Sequence, residues 1–310
     1  MTEAFLIPLL AATVRMATPF TLTALGEIFS QRSGVLNLGL EGMMLAGAFG
    51  SFMGMAYTGN AWLGVLIGVL AGGLMGLVHA FLSITLRVNQ VISGIGINIL
   101  SLGLIGFFFR VAFGVFGTPP TISGLGTTEI PILSQIPVVG TILFQQNILV
   151  YITLILVFLC AIVLFRTTYG LRIRAVGENP RAADTVGVNV NRVRYLCVIF
   201  GGLMAGLGGT FLIMSVPGQI FKEYIIGGRG WIAVALVIFA KWHPYRAFGG
   251  ALLFGGLDAL QLRLQAMGVA IPYRFLLVLP ALLTLIVLII VSRKAIGPAS
   301  LCVPYKRGEE

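Results

Sequence analysis

RTTYGLRIRAVGENPRAADTVGVNVNRVR, residues 166–194, is a hydrophilic stretch set between long apolar segments. It holds six arginines against two acids, Glu178 and Asp184. The stretch therefore reads as a loop between membrane spans, and its arginine excess places it on the cytoplasmic side. Its centre predicts a short helix. Asn179 suits the N-cap, Pro180 the first helical position, and Gly187 can close the helix after Arg181, Ala182, Ala183 and Asp184. Such a piece is roughly 10 Å long at 1.5 Å per residue. A capped helix with a small Ala182–Ala183 face, held at the cytosolic surface of a membrane domain, is suited to being gripped by another protein.

The rest of the chain fits that setting. It has 310 residues, 58% of them hydrophobic and only 10% charged. Soluble domains are typically about a quarter charged, so this is an integral membrane protein. Apolar runs of about 20 residues recur along the length, which predicts an all-α polytopic transmembrane bundle and not a barrel. The 41 glycines predict close helix packing, with some spans broken or re-entrant. The net charge of +10 sits in loops assigned to the cytoplasm, so it is topology signalling and not a nucleic-acid surface. Cys160, Cys197 and Cys302 are odd in number and widely spaced, giving neither a metal pattern nor a disulfide framework. The opening MTEAFLIPLL has no basic n-region and no small-residue cleavage site, so it is expected to be retained.

The spans are expected near 4–26, 34–57, 62–86, 91–115, 148–165, 195–216, 226–241, 246–268 and 273–292, about eight to ten allowing for breaks. The glycine-broken 34–57 could be re-entrant or split. Residues 116–147 lack Lys and Arg and fit an extracytoplasmic loop, whereas 166–194 lies inside. Lys241, His243 and Arg246 form a second inside turn, and Arg32 and Arg87 suit inside turns nearer the N-terminus. Arg293, Lys294, Lys306 and Arg307 put the C-terminal tail inside as well. Nine spans would leave the N-terminus outside. Residues 1–310 read as one membrane domain.

No GxxxxGK[ST] phosphate loop occurs: none of Lys222, Lys241, Lys294 or Lys306 follows a glycine. His79 and His243 are isolated, no HExxH or CxxC appears, and nothing supports an intramembrane hydrolase. Polar groups within the spans are the functional candidates, because an ionisable group in lipid is costly unless paired or hydrated. Asn37 and Glu41 lie four apart in GVLNLGLEG, on one face if that segment is helical. Each either lines a pathway or is structural, with Glu41 bonded to backbone or to an arginine. Asn89, Gln90 and Asn98 either line a pathway or join helices. Asp258 and Gln261, three apart with Arg263 nearby, read as part of a structural ion pair ahead of a substrate contact. Arg110 is expected to snorkel outward, Glu27 and Arg32 to anchor the first inside turn, and Trp62, Trp231 and Trp242 to sit at the membrane interface.

GEIFSQRSGVLNLGLEGMMLAGAFG (26–50) together with GLRIRAVGENPRAADTVGVNVNRVRYLCVIFGGLMAGLGG (170–209) resembles the permease subunits of bacterial ABC importers. The similarity spans essentially the whole chain. It lies in the branch that handles branched-chain amino acids, simple sugars and nucleosides, nearest the shorter permease of nucleoside-type systems. The resemblance implies that Gly177, Glu178, Asn179, Pro180, Ala182, Ala183 and Gly187 belong to a coupling helix that docks on a cytosolic ABC ATPase. It implies a translocation route near Asn37, Glu41 and Asn98. It also implies a second, homologous permease as heterodimer partner, an extracytoplasmic substrate-binding protein, and a place in the bacterial inner membrane with the C-terminus cytoplasmic. No cofactor is expected on this chain, ATP and Mg being held by the ATPase. The chain departs from the EAA loop of other importers, since Pro180–Arg181 replaces the leading Glu and no Leu-Pro closes the motif. That departure is expected for this branch. The competing reading, an ion-gradient-driven transporter or channel, would use Glu41 and Asp258 and leaves the capped arginine-rich loop unexplained.

Overall fold

The computed structural model of the chain describes residues 2–114, 119–216, 218–267 and 296–306, with Val278, Leu282 and Ile289. It is a nearly all-α bundle, as expected. The helices are α1 (Thr2–Arg32), α2 (Leu40–Thr58), α3 (Ala61–Ala80), α4 (Gln90–Phe113), α5 (Ile148–Arg166), α6 (Thr168–Glu178), α7 (Pro180–Thr185), α8 (Val190–Met214), α9 (Arg229–Phe239) and α10 (Pro244–Ala266). Among the described residues five helical stretches are long and apolar enough to cross a membrane: Phe5–Arg32, Ala61–Thr85, Gln90–Phe113, Ile148–Arg166 and Val190–Met214. α2 and α10, with 19 and 23 residues, are comparable in length but are not among these five. The segment expected at 273–292 lies outside the described residues except at three positions, and Arg293, Lys294 and Arg307 lie outside them altogether.

Two expected spans change character. The stretch 226–241 holds only the 11-residue α9, roughly 16 Å at 1.5 Å per residue and about half a bilayer core. The stretch 34–57 becomes an irregular segment over 33–39 followed by α2. Asn37 and Glu41 therefore do not share a helix face.

α1 runs through the centre, and from Ala17 to Gln31 every residue is buried. Pro8 and Pro19 sit inside it. The hydroxyls of Thr18, Thr21 and Thr23 donate to the carbonyls of Val14, Ala17 and Pro19, at 3.1, 2.8 and 2.9 Å, so these polar side chains are satisfied within their own helix. α8 packs on α1, α2 and α3 through the glycines of GGLMAGLGG, residues 201–209. A Cβ added at Gly206 would lie 2.9 Å from the Gly72 α-carbon, and one at Gly202 would lie 2.8 Å from that of Gly76. The helices meet backbone to backbone, as expected where lipid offers no hydrophobic drive and close contact must supply the attraction.

The connection before α5 is more structured than its Pro, Gly and Thr content suggests. β1 (Thr127–Glu129) pairs antiparallel with β2 (Gln145–Asn147), Thr127 opposite Asn147. Asn147 then caps α5, accepting from the Leu149 N–H at 2.9 Å, while its amide donates to the Leu125 carbonyl.

Candidate functional site

In the irregular segment 33–39 the N–H groups of Ser33, Gly34 and Val35 still donate to carbonyls of α1, and beyond them side chains from other elements supply the partners. The Leu36 N–H donates to Gln90 Oε1 at 2.8 Å, and the Asn37 N–H to Glu27 Oε1 at 3.0 Å. His79 Nε2 donates to the Leu36 carbonyl at 3.2 Å, which leaves Nδ1 to accept from the Ser93 hydroxyl at 3.0 Å. Asn98 works twice: its amide donates to the Leu38 carbonyl at 2.9 Å, and its oxygen accepts from the Gly42 N–H at 2.8 Å. Gln90 and Asn98 thus tie α4 to the break, while Asn89 caps α4 itself, accepting from the N–H groups of Val91 and Ile92. Asn37, fully buried, accepts from the Gly39 N–H at 2.9 Å. Its place is within the turn.

Glu41, in the first turn of α2, reaches the other broken helix. Its Oε1 accepts from the Gly228 N–H at 2.8 Å and its Oε2 from the Gly230 N–H at 2.7 Å. The free N–H groups at the start of α9 are thereby capped by a carboxylate, which also suits the positive end of the helix dipole. The fit requires glycine. Gly227 and Gly228 have φ of +62° and +84°, and a Cβ at Gly230 would lie 2.6 Å from the Glu41 α-carbon. Arg229 extends the junction by donating to Asp258 of α10 at 2.9 Å. The structural ion pair expected at Asp258 therefore forms with Arg229. Arg263 lies over the Phe5 ring, 4.8 Å from its centroid.

Beside this junction lies a cavity of about 310 Å³, lined by Glu41, Asn98, Leu45, Leu102, Glu223 and Tyr224 among others. It brings together two of the three residues expected near a pathway. Sequence reasoning passed over Glu223 and Tyr224. The signal for them was a carboxylate and an aromatic just before the Gly227–Gly228 pair that breaks the chain into α9.

α7 forms as the capping residues predict. Asn179 Oδ1 accepts from the Ala182 N–H at 3.0 Å, Pro180 opens the helix, and Gly187 follows it at φ +85°. The expected two-alanine gripping face does not form. Ala183 is buried with Val176 and Val190 against Tyr305, because adjacent helical positions point about 100° apart. The outward surface is Arg181, Ala182, Thr185 and Val186, the last 79% exposed. Gly177 and Pro180 are buried at the base. Two further corrections concern the flanks. Residues 168–178 are helical, and Arg194 lies in the second turn of α8, only 2% exposed. Trp242, expected at the interface, is also buried and donates to Gln31 Oε1 at 2.6 Å. Gln31 in turn donates to Glu27 at 2.7 Å, so Glu27 does anchor the first turn, as expected. Nearby His243 stacks on Phe165 at 4.8 Å. Burial, with like charge from Arg246 and Arg32, holds its imidazole below the usual value and hence neutral near pH 7.

Residues 9–292 match the family described as branched-chain amino acid transport system, permease component. The chain belongs to that family. It is 40% identical over 310 residues to the guanosine ABC transporter permease protein NupQ of Bacillus subtilis, covering 96% of each chain. It is 38% identical to the nucleoside ABC transporter permease protein NupC of Lactococcus lactis, covering 93% of each. It is also 46% identical over 271 residues to a putative glucose ABC transporter permease protein, TsgC13, of Haloferax volcanii, covering 86% of this chain and 80% of that protein. No solved structure matches the chain. The protein is thus a multi-pass membrane permease subunit of an ABC importer, a transport component without catalysis of its own. Membership implies work alongside an ATPase and a substrate-binding protein.

Proposed function

We propose that this subunit forms, with a second homologous permease, the pathway of an ATP-driven importer for nucleosides or related small polar solutes. The observation that carries the substrate class is the end-to-end similarity to permeases named for guanosine and nucleosides. In this reading an extracytoplasmic protein delivers the solute, and Glu41 and Asn98 border its route. Asn37 holds the turn behind them. A cytosolic ATPase, which carries ATP and Mg, grips α7 through Ala182 and Val186. Residues 166–189 and the C-terminal tail then lie on the cytoplasmic side of a cell membrane, and 119–147 lies outside.

The broken helices support the reading physically. Transporter sites commonly form where discontinuous helices leave backbone and polar side chains beside a cavity, and α2 and α9 meet in this way at Glu41. Both carboxylates that an ion-driven mechanism would need are already engaged, Glu41 by α9 and Asp258 by Arg229. A sugar substrate is the second reading, favoured by the Haloferax relative.

The test is uptake by vesicles holding the subunit with its co-purifying partners. ATP-dependent accumulation of guanosine, competed by other nucleosides and not by glucose, is the expected result. Glucose accumulation would establish the sugar reading. Uptake driven by an ion gradient without ATP would overturn the importer mechanism.

A further inference from the structure

Among the described residues, the segment 296–306 reaches helices and turns far from it in sequence. The segment begins against the α9–α10 turn, where a Cβ at Gly297 would meet the Trp242 ring at 3.1 Å. It then crosses the C-terminal end of α6. The Ala299 N–H donates to Glu178 Oε2 at 3.3 Å, the Ser300 N–H to the Gly177 carbonyl at 2.9 Å, and the Ser300 hydroxyl to the Glu178 carbonyl at 3.2 Å. Two residues on, the Cys302 N–H donates to the Gly34 carbonyl at 3.2 Å. Tyr305 closes over Val176, Ala183 and Val190 beneath α7.

Arg194 ties this segment to the break between α1 and α2. Among the described residues its guanidinium has no carboxylate partner, and Nη2 is buried without a hydrogen bond. It donates from Nε to the Ser33 carbonyl at 3.2 Å and from Nη1 to the Val303 carbonyl at 3.0 Å. A buried cation is costly unless its donors are engaged, and here it spans two carbonyls 270 residues apart in the chain. Ser33 and Gly34 open the irregular segment that leads, through Asn37 and Gly39, into Glu41 and the junction with α9.

We propose that residues 299–305 form a strap, with Arg194 as its positioning residue, that transmits movement of α7 to the break at 33–39 and so to the cavity beside Glu41. The inference rests on the reading of α7 as the ATPase contact. The strap and Gly177, which abuts the Arg32 carbonyl, fasten the base of α7 to the same turn. Displacement of α7 therefore pulls on residues 32–34 before any other part of the pathway.

The experiment is ATP turnover by the reconstituted complex of this subunit, its permease partner and the ATPase, with and without binding protein loaded with guanosine. Stimulation of the unaltered complex tests the importer reading alone, and its absence would count against that reading. Three variants test the strap: Arg194→Gln, Arg194→Lys, and a chain ended after Pro298. Lysine keeps the charge but cannot bridge both carbonyls. The expected result is complexes that assemble with unchanged basal turnover, while stimulation falls by roughly fivefold or more, the lower end of typical coupling between sites. Normal stimulation in all three variants would overturn the proposal. Failure of all three to assemble would also overturn it, by showing that the contacts only hold the fold.

Discussion

Both oxygens of Glu41 accept backbone N–H groups at the start of α9, an arrangement that an amide cannot copy. In Glu41→Gln one acceptor becomes an NH₂ group facing another donor. The expected outcome is a loss of about 1–3 kcal/mol, read as a lower unfolding midpoint of the detergent-purified subunit, together with reduced uptake. Gly230→Ala should do more damage, since its Cβ cannot fit beside the Glu41 backbone. Unchanged melting in both variants would show that the cap carries no weight. The neighbouring Arg229–Asp258 pair is mostly enclosed, with side chains 22% and 11% exposed. Removing either partner strands a charge, so Asp258→Ala or Arg229→Met alone should destabilise more than the two together. A double-mutant cycle in thermal unfolding checks this, and additive losses would argue that the two groups act independently.

Between α7 and its neighbours the difference of one residue decides the effect of a mutation. Ala182→Arg lies on the open surface and should leave the subunit folded but unable to retain its ATPase in a pull-down. Ala183→Arg forces a long cation between Val176, Val190 and Tyr305, so it should lower the yield of folded subunit. Equal behaviour of the two would contradict this packing. α7 was legible in the sequence because its signals are local: Asn179, Pro180 and Gly187 each act within one turn. α6 was not legible, because TYGLRIRAVGE is hydrophilic enough to read as loop. Its buried Gly170, Val176 and Gly177 are fixed by partners on other elements. The inward turn of Ala183 depends on Tyr305, and the burial of Trp242 depends on Gln31, both far away in sequence. Glu41 was legible as a polar group that required an explanation. That its partner is the N-terminus of a half-length helix was not, since nothing in the pattern of 226–241 marks where α9 begins except two glycines.

Across the whole molecule, the glycine contacts of α8 leave no side-chain padding against α2 and α3. Gly209→Ala, whose Cβ would collide with the Met44 carbonyl, should abolish recovery of folded subunit, whereas Gly103→Ala, which meets open space, should be neutral. Size-exclusion profiles of the two variants check this, and a normal Gly209→Ala profile would mean the layer can part. The strap has a further consequence, in time. Its partners on α6 and α7 leave the ribosome some 120 residues before residue 300 does. At about 5–20 residues per second that is roughly 6–24 s during which α7 exists without its brace. A chain arrested before residue 296 is therefore expected to insert while leaving α7 open to protease, with protection appearing only once residue 305 has emerged. The brace of the site offered to the ATPase is added among the last events of synthesis, so a half-made subunit presents its motor with a lever that is not yet tied to the pathway.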